Sequence, residues 1–362
     1  MQRFKDSIFQ LGDFSLQSGS LLLNAQLHFR QYGHLNAPKD NLVLLPTHYG
    51  GACMDNMPWL EMPGTPLDTS RYCVVIVGLL AGGESTSPSN ADIQQRGNQF
   101  PAVTLFDNVQ AQRQLLAGVF GDAHPALVMG WSMGGMQALQ WACQFPDRVR
   151  SALAVCATGR CSQHNQLFLN GVASALRCDQ AFADGAYHYP PVEGLRAFAR
   201  VYAGWAYCAE FFREQRYTEL GFASVADLLD YWEQDHLLQD ANNLLALLDT
   251  WKNGDISDNP LFMGDYAGAM AAIRCPVIIA PSSSDMYFSP ADAYQDALLC
   301  NAQYRPITSA FGHIAGGPGR IARHTAQVFD MARSLLTQTA RREKYYDPGK
   351  KVLADPDRHT PV

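Results

Sequence analysis

Positive charge is in short supply: Lys and Arg number 27 against 34 Asp and Glu, giving a net charge of -7 at pH 7. With a pI near 5.8 the chain offers no basic footprint, so neither nucleic acid nor an anionic membrane is expected as a partner. No apolar run approaches the roughly 18–20 residues of a membrane-spanning helix. The opening residues, MQRFKDSIFQLGDF, lack the continuous apolar core of a secretory leader. The nine cysteines are odd in number and follow no disulfide-framework spacing. They read as small buried hydrophobes in a reducing, cytoplasmic setting. No internal repeat is present.

What the chain does have is apolar mass. At 362 residues and 47% hydrophobic, it suits one large α/β domain with an insertion, or two domains. Near-continuous apolar runs at 41–46, 72–78, 126–130, 150–157, 275–281 and 302–308 predict parallel strands covered on both faces. Helical patterns separate them. One starts near Thr104, with Asp107 three residues on as an approximate capping box; another starts at Ser289-Pro290; a third covers about 320–337. The alternation predicts an α/β fold with right-handed crossovers. It fails between 161 and 271, where the sequence reads as aromatic-rich helices, an insertion acting as a lid. Most of those rings are expected to fill the lid's own core. The expected organisation is thus a core of residues 1–160 and 272–340, a helical lid of 161–271, and a polar, proline-punctuated tail of 341–362.

The stretch ALVMGWSMGGMQALQW (126–141) passes from a strand pattern through glycines into a helix pattern, with Ser132 at the change. Gly130 and Gly134, two before and two after, are what a sharp strand-to-helix elbow needs, because bulkier neighbours would collide there. Such an elbow lifts the hydroxyl to a helix start, where amide N–H groups favour negative charge. A plain Gly-Ser-Gly turn is the bland alternative.

A lone serine is a poor nucleophile without a base and an orienting acid. The run PVIIAP leads into SSSDMYFSP, placing Asp285 on the following loop. The run AQYRPIT leads into SAFGHIAGGPG, placing His313 on the next. Taken singly, each is an ordinary turn or surface residue. Together, at the carboxyl ends of strands and in the order serine, acid, histidine, they form a candidate triad. An oxyanion needs two backbone donors. Met133, next to the serine, is one candidate, and Tyr49 in the loop LLPTHYGG is the other.

Other signals carry less. Cys156, Cys161 and His164 lack a matching second pair, so no zinc site and no metal are expected. AGGES (81–85) and AGGPG (315–319) lack a phosphate-loop Lys-Ser ending and read as close-approach loops. GDISDN (254–259) lacks the glutamate of a calcium loop and reads as a turn. Met133 and Met136 read as helix packing.

GWSMGGMQALQWACQFPDRV, FPAVTLFDNVQAQRQLL, SSSDMYFSP and the FGH segment together resemble the homoserine O-acetyltransferase family over roughly residues 10 to 335. The resemblance implies an α/β-hydrolase fold with a helical lid, no cofactor, a covalent acyl-serine, and Ser132, Asp285 and His313 as the triad. It also departs from that family. In the transferases an aspartate follows the catalytic histidine and holds the homoserine ammonium; here Ile314 follows, and an apolar side chain cannot pair a buried charge. Trp131 stands where those enzymes have a small residue, and PTHYGG replaces their loop. The ending looks more like the family's hydrolytic branch, which cleaves short acyl esters. Arg200 approximately matches the transferase arginine that binds the acceptor carboxylate, and Arg160 is a weaker candidate of the same kind. Trp131, Arg160, Arg200 and Ile314 are accordingly the expected substrate-binding residues.

The expected function is hydrolysis of a short-chain acyl ester of a small molecule. Acyl transfer to an alcohol or amine other than homoserine is the alternative, and a non-catalytic ligand receptor on the same scaffold is a third reading. Lid-mediated dimers are common in the resembled enzymes, so a homodimer is an open expectation.

Overall fold

The computed structural model describes residues 4–345. Ten strands occur among them: β1 (Phe4–Ser15), β2 (Leu21–Tyr32), β3 (Leu42–Pro46), β4 (Cys73–Val77), β5 (Leu127–Trp131), β6 (Ala152–Val155), β7 (Phe182–Ala183), β8 (Ala186–Tyr187), β9 (Val277–Ala280) and β10 (Gln303–Tyr304). Eight make one sheet in the order β1-β2-β4-β3-β5-β6-β9-β10. From β4 to β10 every pairing is parallel, and β1 and β2 add an antiparallel edge. The fold is that of an α/β protein with a mostly parallel sheet flanked by helices.

Every residue of β3, β4, β5, β6 and β9 is buried, which is why these strands read as unbroken apolar runs. The sixth expected run is shorter than its sequence: β10 covers two residues, with an isolated bridge from Ile307 to Ser282 beyond it. The β1–β2 hairpin gave no apolar run because one strand is largely exposed and bulged at Gly12, whose φ is +70°.

Helix starts follow their capping chemistry. The helix Leu105–Phe120 opens at Thr104, whose hydroxyl accepts from the Asp107 amide while the Asp107 carboxylate accepts from the Thr104 amide. Ser289 caps Pro290–Leu299 through its hydroxyl alone, which accepts from the Ala291 and Asp292 amides. The helix Met133–Gln144 is buried along its whole length between the sheet and its neighbours. The last helix runs Ala322–Tyr345, longer than expected, so the first residues of the expected tail are helical. The rest of that tail, 346–362, lies outside the described residues.

Between β6 and β9 the helices Gln163–Arg177, Val192–Ala206, Val225–His236 and Ala241–Lys252 occupy the segment expected to be a lid, with the β7–β8 hairpin between the first two. Their rings form a shared cluster. Phe168 stacks on Tyr287 of the core at 4.5 Å between centroids, and the Tyr287 hydroxyl donates to the Tyr202 carbonyl at 2.7 Å. Residues 254–271 turn back onto the core: the Ile256 amide donates to the Gly159 carbonyl, and the Tyr266 hydroxyl donates to Asp296. The segment GDISDN is a turn closed by Asp255, which accepts from the amide and hydroxyl of Ser257.

Candidate active site

Ser132 follows β5 directly and sits at φ +58°, ψ -130°, a conformation that costs a non-glycine residue energy and persists only where its surroundings impose it. The surroundings are tight. A Cβ on Gly130 would lie 2.2 Å from the Gly134 carbonyl carbon, and one on Gly134 would lie 2.6 Å from the Pro46 oxygen. Gly135 is as constrained, 2.6 Å from the Ala157 Cβ. The Ser132 amide donates to the Val155 carbonyl at 2.9 Å, tying the elbow to β6.

Asp285 lies on the loop after β9, and His313 lies in the short helix Gly312–Gly316 after β10. Because β5, β9 and β10 run parallel, all three residues reach the same rim. Asp285 accepts through one oxygen from the Tyr287 and Phe288 amides at 2.8 and 3.0 Å, and through the other from His313 Nδ1 at 2.8 Å. Both side chains are almost wholly buried, at 0% and 3% exposure. Ser132 and His313 face one cavity of about 410 Å³, within the usual range for small-molecule sites. No Ser132–His313 hydrogen bond occurs among the described contacts; such bonds often close only around substrate.

The two amides expected to hold an oxyanion lie on elements locked together. Met133 opens its helix, so its N–H has no intrahelical acceptor. Tyr49 sits in the loop after β3, which is fastened to that helix by the Gln137 side chain donating to the Thr47 carbonyl at 3.0 Å. The Tyr49 ring also lines the cavity, its hydroxyl donating to the Leu244 carbonyl and its acidity suppressed by burial. Beside it, burial, Arg320 and His313 push His48 down to about 3, so its imidazole is neutral.

Of the residues expected to bind substrate, Trp131 and Ile314 line the cavity and the two arginines do not. Arg200 is corrected by a nearer carboxylate: its guanidinium hydrogen-bonds Glu233, buried between lid helices, and Arg196 joins them at 3.7 Å. Arg160 is drawn off by a ring, its guanidinium 4.2 Å from the Tyr266 centroid. The cavity cation is instead Arg320, which donates to the Tyr231 hydroxyl at 3.0 Å. Asp55, Asp235 and Glu219 share the wall with it. Neither Arg320 nor His48 belongs to a recognisable motif in the sequence. The proximity of Arg320 to His313 along the chain was the available signal, but its direction depends on the lid.

Cys156, Cys161 and His164 do not converge: the Cys161 thiol donates to Asn165 and His164 packs on Trp205. Among the described residues two other sets bring ligand-type atoms within 4.8 Å, Cys156–Asp285–His313 and His28–Cys53–Glu84. Burial, followed by the charge of Asp285, holds the Cys156 thiol well above its ordinary range, so it is no thiolate. In the second set Glu84 accepts from the Cys53 amide at 2.7 Å and pairs with His28 at 3.5 Å, which binds the loop after β3 to β2.

A serine held in a strained elbow after a parallel strand, facing the same cavity as an imidazole locked to a carboxylate, fits the α/β-hydrolase fold. Comparison with known proteins agrees. Residues 42–186 match the alpha/beta hydrolase fold family. An ethyl acetate hydrolase from Pseudomonas veronii is 33% identical over 311 residues, covering 85% of this chain and 88% of its own. A homoserine O-acetyltransferase from Geobacter sulfurreducens is 32% identical over 337 residues, covering 84% and 90%. The solved acetyl esterase MekB superposes with a TM-score of 0.88 at 32% identity, over 92% of this chain and 97% of its own. An acetylester hydrolase from Corynebacterium glutamicum gives 0.87 at 28% identity, over 92% and 96%. The chain belongs to the homoserine O-acetyltransferase-like family of the α/β-hydrolase superfamily.

Proposed function

We propose that the protein hydrolyses short acetyl-type esters of small alcohols through an acyl-enzyme on Ser132. The observation that carries this reading is the buried Asp285–His313 hydrogen bond at the cavity that Ser132 also faces. Asp285 holds the Nδ1 proton in place, which leaves Nε2 free to accept the serine proton. Ser132 Oγ attacks the ester carbonyl carbon, and the Met133 and Tyr49 amides take up the oxyanion. His313 returns its proton to the departing alcohol. Water then enters, loses a proton to His313 and attacks the acyl carbon; on collapse the bond to Ser132 Oγ breaks, His313 returns the proton to that oxygen, and the acid leaves.

The acetyl preference is supported by relatives described as an ethyl acetate hydrolase and an acetyl esterase. Water as acceptor is supported by Ile314, which lines the cavity directly after His313 and cannot pair an ammonium. Transferase relatives at 32% identity keep acyl transfer as the second reading. The nine free cysteines fit a reducing, cytoplasmic setting.

Product partition separates hydrolysis from transfer. With an acetyl ester as donor, free acetate is expected as the dominant product, with and without homoserine or simple alcohols. Capture of most of the acetyl group by an added acceptor would favour transfer.

A further inference from the structure

Trp131 immediately precedes the elbow serine, and its position in the cavity wall suggests nothing beyond shape. Its contacts do more. The indole Nε1–H donates to the His313 carbonyl at 3.2 Å, and the ring stacks on the His313 imidazole with centroids 4.9 Å apart and planes 27° apart. Its own surroundings include His48, 4.6 Å away on the loop after β3. We propose that Trp131 is a positioning residue that sets His313 against Ser132; the proposal rests on the reading of these two as base and nucleophile.

The physical need is plain. The Asp285 hydrogen bond fixes the direction of Nδ1 but leaves the imidazole free to swing about that bond. Rings on its flanks remove that freedom. Tyr287, at 4.7 Å, and Phe288, at 5.6 Å, come from the same loop as Asp285, so they register His313 to its acid. Trp131 comes from the elbow, so it registers the base to the nucleophile. The carbonyl contact adds a second point, holding backbone as well as ring.

The glycine-rich segment after His313 meets the same indole. A Cβ on Gly316 would lie 2.5 Å from Cys156 Sγ and 3.0 Å from Trp131 Cδ1, so glycine there lets the chain pass close to the tryptophan. Trp131 and the AGGPG ending, which read as separate oddities in sequence, are two halves of one contact.

The test compares Trp131→Phe, which keeps a ring and loses the N–H, with Trp131→Leu, which loses both. Steady-state kinetics on p-nitrophenyl acetate are read beside the rate of Ser132 labelling by a small phosphonate. For Trp131→Phe the expected result is a kcat loss of about three- to tenfold, the scale of one hydrogen bond. For Trp131→Leu it is about a hundredfold, the scale of a misplaced catalytic group. KM should stay within about twofold in both, and labelling should slow in step with kcat, because a positioning defect acts on the reacting complex. An unchanged kcat in Trp131→Phe, or a KM rise exceeding the kcat loss, would overturn the proposal and leave Trp131 as pocket wall. If Trp131→Leu does not fold, Trp131→Phe decides alone. Failure of the underlying reading looks different, since wild-type protein would then turn over without labelling at Ser132.

Discussion

Replacing Asp285 with asparagine changes one oxygen to nitrogen in a side chain that is wholly buried. The two backbone amides of Tyr287 and Phe288, at 2.8 and 3.0 Å, require an acceptor and will select the amide oxygen. The NH₂ group must then face His313 Nδ1, where the carboxylate oxygen now accepts at 2.8 Å. Two donors cannot face each other, so His313 gives up its Nδ1 proton and carries it on Nε2 instead. In that tautomer Nε2 can no longer accept the proton of Ser132. The expected loss in kcat is about 10⁴-fold, the scale seen when this acid is made an amide in serine hydrolases of known mechanism. That corresponds to about 5.5 kcal/mol of transition-state stabilisation. Because shape and backbone hydrogen bonds are kept, thermal stability should move by only a few degrees. The assay is steady-state hydrolysis of p-nitrophenyl acetate, with a circular dichroism melt as the folding control. A folded Asp285→Asn protein losing less than about tenfold would refute the tautomer argument and the role of Asp285 with it.

Gly130→Ala should destabilise the fold, since the new methyl sits 2.2 Å from backbone that cannot move without opening the elbow. A melting temperature within about 1 °C of wild type would contradict that. Arg200→Ala should leave KM for small esters within about twofold, because the guanidinium is held by Glu233 away from the cavity; a tenfold rise would restore it as a substrate ligand. The His28–Glu84 pair predicts a pH window. Glu84 raises the His28 pKa above 6.5, so that contribution is present below 6.5 and fades as pH climbs through the raised value. Burial opposes ionisation of Glu84, but His28 and Cys53 outweigh it and hold its carboxyl below 4.5. Its contribution is therefore present above 4.5 and fades as pH falls through the lowered value. The melting-temperature deficit of His28→Gln should be largest near about pH 5.5 and shrink near about pH 9; a deficit independent of pH would contradict the pairing.

The parts of this molecule legible in sequence are those decided locally. The buried central strands had to be apolar throughout, and the elbow had to be glycine at Gly130 and Gly134, where any Cβ meets backbone. Asp285 and His313 were legible because each ends a strand-to-loop transition at the rim. What escaped was decided at long range. Arg200 has a choice of carboxylates, and only lid packing puts Glu233 beside it. Trp131 reads as a pocket residue until it meets His313, 182 positions away. The edge hairpin escaped for a different reason: half-exposed, bulged strands need little apolar sequence.

The most direct measurement is intact-protein and peptide mass spectrometry of the enzyme quenched during turnover of a short acetyl ester. The account predicts a transient mass increase of one acetyl group, localised to Ser132, absent in Ser132→Ala, and accumulating further when water attack is slowed at acidic pH. Turnover proceeding undiminished in Ser132→Ala, or an acetyl group carried on another residue, would contradict it.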